Sequence, residues 1–347
     1  MDMIMDINIF EHLEDEEDEE MFLQIRRPYT IRVRRNHLDL WNDVDFRCRF
    51  RLSKETYNLS ICIYVFVVIL NFERYRTRAL SPLQQLLLTL RFYATGNFLC
   101  SVGEFSDVCV ATACRVVRKV SIALALLRPR YIEMPQRRSD MEEIKMEFFK
   151  LFNFPSVIGC IDATHVRIQS PGKERLFRNT EGYFSLNVQV VCDHTMKIRD
   201  IVARWPGSVR DTTIFSHSNL YKKFEAQKFS SYLLLGDCEY PAKSYLLTPV
   251  LNPRTPAEER YNLAHIRTRD IIERVVEVWK RRFPILSTGM KVQMQTIHAI
   301  IVATAVLHNI AVDENDEAPP IQILVPHDEE VVCNSCGRRE KLIKNFI

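Results

Sequence analysis

Four carboxylates stand where a carboxylate is costly to keep. Asp162 ends the apolar run Val157-Ile158-Gly159-Cys160-Ile161, and Asp237 follows the apolar run Tyr232–Leu235 after a single glycine. Asp211 opens a helical stretch after Trp205-Pro206-Gly207-Ser208, and Glu273 lies within a later helix. An acid bordering a buried strand is unfavourable unless something pairs with it. A divalent cation is the simplest common partner for several clustered carboxylates, because like charges at close range otherwise repel. Hard oxygen ligands suit Mg²⁺ or Mn²⁺, and two such ions activate a water and stabilise the leaving oxygen of a phosphodiester.

Each acid also has a plainer role open to it. Asp211 can cap the helix it opens, Asp237 can form a turn, and Glu273 can pair with Arg269 one turn earlier. Ile271, Val275, Trp279 and Phe283 recur every fourth residue as an apolar stripe. Glu273 lies about 200° around the helix from Ile271, off that stripe, so helix geometry alone does not carry it to the strand ends.

The elements that must position these acids read as follows. Val157–Asp162, continuing through Val166-Arg167-Ile168, is a first strand; Leu186–Cys192 is a second and Ile198–Ala203 a third. The short join Asp193–Lys197 makes the last two an antiparallel pair. Tyr232–Leu235 is a fourth strand, apolar enough to be covered on both faces. Residues 241–268 read as irregular, and helices are expected over about 268–283 and 291–312. Before the strands, Leu83, Leu86, Leu87 and Leu90, a break at Thr95-Gly96-Asn97, then Val116, Val117, Val120 and Leu124 describe two or three helices. Their short joins fit a helix-turn-helix-like unit or a plain bundle.

Charge is unevenly distributed over the 347 residues. The first twenty hold ten acids and no Lys or Arg; the remainder carries 47 basic against 34 acidic residues, a net +13. Such a body attracts polyanions, and an acidic tail can shield it. An acidic start is unlike a signal or transit peptide. The ten scattered cysteines read as reduced thiols of an intracellular protein, and the lone Cys333-Asn334-Ser335-Cys336 lacks the second pair that zinc usually needs. The run Leu59–Phe72 is apolar but short of the roughly twenty residues of a membrane span.

Six ordered blocks then add a resemblance: GCIDATHVRI, YFSLNVQVVCD, RWPGSVRDTTIFSHSNL, LLGDCEYPAKSYLLTP, YNLAHIRTRDIIERVVEVWKRRFPIL and ATAVLHNIA. Together, over roughly residues 40–312, the chain resembles the PIF/Harbinger transposases and the nucleases derived from them. The resemblance implies an α/β fold with a ribonuclease H-like mixed-sheet catalytic core, preceded by a helical, helix-turn-helix-like N-terminal domain. It implies metal-dependent DNA cleavage, with Asp162, Asp237 and Glu273 as the acid set and Asp211 as a further ligand of Mg²⁺ or Mn²⁺. A separate Myb-like DNA-binding partner and residence in nucleus and cytoplasm belong to the same expectation, with no membrane attachment.

The expected organisation is an acidic tail at 1–20, a helical domain at 21–150, the nuclease domain at 151–312 and a C-terminal tail at 313–347. The run 59–72 matches nothing in the family and is read as an insert from a retained intron. Lys173, Arg175, Arg178 and the Arg281-Arg282 pair are candidate phosphate contacts, whereas His165 and His308 are read as structural. The chain departs from the family at Cys238-Glu239, at Val276-Glu277, at the hydroxyl-poor stretch 109–115, and at Arg210, a cation able to pair with Asp211. These departures keep a second reading open, a catalytically silent DNA- or protein-binding module.

Overall fold

The computed structural model describes residues 37–319 except 57–79, 97, 173 and 230. The acidic tail, the arginines at 26–35, the run 59–72, Lys173 and the Cys333/Cys336 pair lie outside the described residues.

Helices α1 (Asp43–Phe50), α2 (Pro82–Thr95), α3 (Leu99–Phe105), α4 (Val110–Ala125) and α5 (Arg138–Phe152) precede the sheet. Helix α2 starts where Ser81 and Gln84 cap each other's backbone amides, with Pro82 filling the first turn, which needs no N–H there. It stops at Gly96, whose φ is +63°. A Cβ at Gly96 would lie 2.2 Å from the Thr288 hydroxyl, so both conformation and space require glycine. Helix α4 buries Val116, Val117, Val120 and Leu124, the stripe read from the sequence. Between α3 and α4 the chain turns through Asp107 at φ +53°.

The sheet comprises β1 (Val157–Arg167), β2 (Ser185–Cys192), β3 (Ile198–Pro206), β4 (Leu233–Leu235) and β5 (Leu246–Leu247), in the order β3-β2-β1-β4-β5. The first three strands are antiparallel, and β4 and β5 run parallel to β1. The turn between β2 and β3 is held by buried Asp193, which accepts from the Thr195 N–H at 2.8 Å and from Arg199 at 2.6 Å. Helices α6 (Asp211–Ser216) and α7 (Asn219–Glu225) join β3 to β4. Helices α8 (Pro256–Arg282) and α9 (Met294–Asp313) close the chain, α8 on β1 and β2, α9 on α4 and β3. One continuous hydrophobic core runs from Phe46 through the strands to Ala311. Helix α9 is long and apolar enough to cross a membrane, yet it is mostly buried in that core.

Two expectations need correction. Helix α8 begins at Pro256, twelve residues before the start expected near 268. Its start is a capping box of Thr255 and Glu258 with Pro256 in the first turn, and its polar early turns lie largely in solvent, where no periodicity is required. Arg282 does not face outward toward a phosphate. It is buried and donates to the carbonyls of Arg51 at 2.8 Å and Asp316 at 2.7 Å, tying α8 to the segments at 51 and 316.

Candidate active site beside the end of the fourth strand

Register brings the first two acids together. Cys160 on β1 pairs with Leu235 on β4, and Asp162 and Asp237 each lie two residues further on along parallel strands. Asp237 therefore lies just past the end of β4, beside Asp162, which sits within β1 and pairs with Val190 of β2; the expected strand end at Asp162 is corrected, since β1 runs on to Arg167. Cys160 donates its thiol to the Thr268 carbonyl of α8 at 3.5 Å, so alternation turns Asp162 toward α8 as well.

Helix α8 meets Asp162 with a cation. Arg269 Nη1 donates to Asp162 Oδ2 at 3.3 Å and Nη2 donates to Glu273 Oε1 at 2.6 Å. One guanidinium thus joins the strand acid to the helix acid, which is how Glu273 comes to Asp162 although it lies off the apolar stripe. Asp162 and Arg269 side chains are one-fifth exposed and Glu273 is 55% exposed.

Asp237 Oδ1 accepts from the Glu239 N–H at 3.0 Å, a local turn. Asp211 occupies the first turn of α6, but Arg210 holds the capping position and the Asp211 carboxylate accepts from Asn187 Nδ2 at 2.7 Å. The helix-cap role and the pairing with Arg210 both give way to this strand partner. Asn187 lies opposite His165 in the β1–β2 register, one step out of phase with Asp162, and so on the other face of the sheet. Asp162 and Asn187, the partner of Asp211, therefore lie on opposite faces of the sheet.

Their fields overlap. Burial pushes the Asp162 carboxyl up to about 7; Arg269 and the Ala163 N–H oppose the shift, and Asp237 and Asp211 add to it. Burial likewise raises Asp211 to about 6, opposed by the Asn187 hydrogen bond and reinforced by Glu239 and Asp237. Tyr240 is buried among Asp211, Asp162, Asp237 and Glu239, and its hydroxyl is pushed upward by burial first and by all four acids. Its Oη and Asn187 Oδ1 are buried oxygens without a hydrogen-bond partner among the described residues. Desolvated carboxylates beside orphaned neutral oxygens are a donor set that a hard divalent cation satisfies. Among the described residues, no three His, Cys, Asp or Glu side chains gather closely enough to enclose an ion.

Of the expected phosphate contacts, Arg175 and Arg178 are exposed, and Arg178 donates to the Gly182 carbonyl at 2.9 Å. Arg281 pairs with Glu277 at 3.3 Å. Lys280, largely desolvated, donates to the His165 carbonyl at 2.9 Å, and burial lowers its amine to about 8. His165 shares a hydrogen bond with the Ser185 hydroxyl, and buried His308 with the Met196 carbonyl. Asn187, Tyr240 and the bridging role of Arg269 escaped the sequence reading. The visible signal for Asn187 was a polar residue inside the apolar string LNVQVVC.

Residues 161–309 match the model of the DDE superfamily endonucleases, described as DDE_Tnp_4. The chain is 36% identical to "Putative nuclease HARBI1" of Homo sapiens and of Bos taurus, over 69% of this chain and 69% of each relative. It belongs to the Harbinger transposase-derived nucleases. More distantly it is similar to "Protein ALP1-like" of Arabidopsis thaliana, 26% identical over 84% of this chain and 76% of the relative. No solved structure matches it. For a member of this nuclease family, the region matched as an endonuclease contains every acid of the cluster, from Asp162 to Glu273.

Proposed function

We propose that this Harbinger-family protein cleaves DNA phosphodiester bonds with divalent metal held by Asp162, Asp237 and Glu273, Asp211 completing the set. The observation that carries the reading is the parallel β1–β4 register, which sets Asp162, within β1, beside Asp237, just past the end of β4, with Asp162 desolvated among like charges. The sheet order β3-β2-β1-β4-β5, antiparallel then parallel, supports a ribonuclease H-like core. Mg²⁺ or Mn²⁺, when bound, supplies the Lewis acid that activates water toward phosphorus and neutralises the departing oxygen. The chain's own residues orient that chemistry: Arg269 holds Glu273 toward Asp162, Asn187 fixes Asp211, and Tyr240 is buried beside the acids. The exposed Arg175 and Arg178 are the cations offered to a phosphate backbone.

Helices α3 and α4 serve as a helix-turn-helix on this reading. Gly103 allows the close approach that the turn needs, since a Cβ there would lie 2.9 Å from the Val108 carbonyl. The outer face at the start of α4 presents Ala111, Cys114 and Arg115; a recognition helix uses this end against base edges. A Myb-like partner for target choice, and residence in nucleus and cytoplasm, accompany the reading.

The test is calorimetric titration with Mn²⁺ of the wild type and of an Asp162→Asn, Asp237→Asn double variant, followed by nicking of supercoiled plasmid. Binding and nicking by the wild type alone are expected. Equal Mn²⁺ binding by both proteins, or none by either, would sink the nuclease. The second reading, a silent binding module, is favoured by one observation: Arg269 already joins Asp162 to Glu273, so an internal cation stands where metal would be required. Plasmid binding without nicking, with no Mn²⁺ heat, is its signature.

A further inference from the structure

At the β3 edge of the sheet, away from β4 and the acids, two cavities meet. One, of about 400 Å³, is walled by Ile122 of α4 and Leu126 just after it, Ile201 and Ala203 of β3, and Ala299 and Val302 of α9. Leu126 is 44% exposed there. The other, of about 500 Å³, is lined by Arg199 and by Lys222, Lys223 and Lys228 at and beyond α7, with Glu133 as its peripheral acid. Arg128, Pro129, Asp200 and Asn219 line both, so the two form one groove with an apolar half and a cationic half. Inside it Arg128 pairs with Asp200 at 3.5 Å, and Arg199 is committed to Asp193 at 2.6 Å. Lys222, Lys223 and Lys228 supply the surplus positive charge. Each cavity falls in the range of about 300–1,000 Å³ typical of ligand sites.

The first twenty residues have the same two-part composition in the same compass. Met3, Ile4, Met5, Ile7, Ile9 and Phe10 come first, and the acids Glu14–Glu20 follow within a few residues. We propose that this groove is the docking site of the chain's own N-terminal segment, with Ile7–Phe10 in the apolar half and Glu14–Glu20 against Lys222, Lys223 and Lys228. Reach is not limiting. Sixteen residues lie between Glu20 and His37, the first described residue, and the seventeen steps span up to about 56 Å at about 3.3 Å each. A folded body of this size has a radius of gyration of only about 18 Å. Docking would neutralise a lysine cluster that otherwise attracts polyanions, and would tie α4 to the sheet edge. The inference is independent of the nuclease reading.

The test is zero-length carbodiimide crosslinking of the full chain, which joins a carboxylate to a lysine amine only in direct contact, read by mass spectrometry on an equal mixture of ¹⁴N- and ¹⁵N-labelled protein. Crosslinks from Glu14–Glu20 to Lys222, Lys223 or Lys228 within a single isotopic chain are expected. Crosslinks that pair light with heavy chains would replace the intramolecular dock with a second copy, and crosslinks spread over other lysines would overturn the site. An Ile7→Asp, Phe10→Asp variant leaves every acid and the folded body intact. Its crosslink yield should fall at least about fivefold, the loss expected when burial worth more than about 1 kcal/mol is removed. An unchanged yield would overturn the apolar half of the proposal.

Discussion

Asp162 and Asp200 invite comparison. Each sits on a strand of the same sheet, each is about one-fifth exposed, and each has an arginine near its carboxylate, Arg269 at 3.3 Å and Arg128 at 3.5 Å. Burial raises both carboxyls and the arginine opposes the rise in both. What differs is the next neighbour. Around Asp200 it is another cation, Lys223; around Asp162 it is Asp237 and Asp211. A buried carboxylate surrounded by cations is already compensated and serves the fold. One surrounded by further carboxylates is left with uncompensated charge, which is the condition for binding a cation from solution.

The comparison breaks most visibly in cleavage. Asp162→Asn and Asp237→Asn should each lower Mn²⁺-supported plasmid nicking by at least about 100-fold, the scale of losing one charge-stabilising group. Asp200→Asn should leave nicking close to wild type. Comparable losses in all three would erase the distinction.

Next in size is stability. Arg128→Met leaves Asp200 buried without its nearest cation and should cost about 3–5 kcal/mol in urea unfolding. Arg269→Met should cost less at pH 6, because Asp162 titrates near 7 and can take up a proton instead. Equal costs would mean that the carboxylate neighbours of Asp162 do not matter.

The pH dependence sharpens the point further. A carboxyl raised from about 3.9 unfolded to about 7 folded binds more protons in the native state between those values. Its contribution to stability is therefore lost as pH rises through that window. Asp162→Asn removes the penalty, so its unfolding free energy relative to wild type should rise from about pH 4 and level off above about pH 7. The gain is on the order of 2–4 kcal/mol. Saturating Mn²⁺ should reverse the ranking by stabilising the wild type alone. A variant no more stable than wild type at pH 8 without metal would show that Asp162 is not desolvated.

Much of the architecture was legible from residue patterns. The first four strands follow from apolar runs bounded by turn residues, the β2–β3 pairing from the brevity of Asp193–Lys197, and α2 from the spacing of Leu83, Leu86, Leu87 and Leu90 and the break at Thr95-Gly96-Asn97. The two-residue β5 and the polar opening turns of α8 were not legible, because neither carries a hydrophobic period. In the site, Asp162, Asp237 and Asp211 were suspects from their expected positions at element ends, since an acid beside buried residues announces a cost. Glu273 rested on family resemblance, because no local rule connects a helix surface to a strand more than a hundred residues away.

By itself the sequence determined which residues must be buried, where the chain turns, and that several acids border apolar runs; these follow from side-chain chemistry and short-range geometry. Only the tertiary structure decided that Asp237 lies beside Asp162, that Arg269 spans Asp162 and Glu273, that Asn187 rather than Arg210 holds Asp211, and that Arg282 is buried. Those outcomes depend on strand register and on the packing of α8 against β1. Both are set by the summed burial of the whole core, not by any residue's own preference.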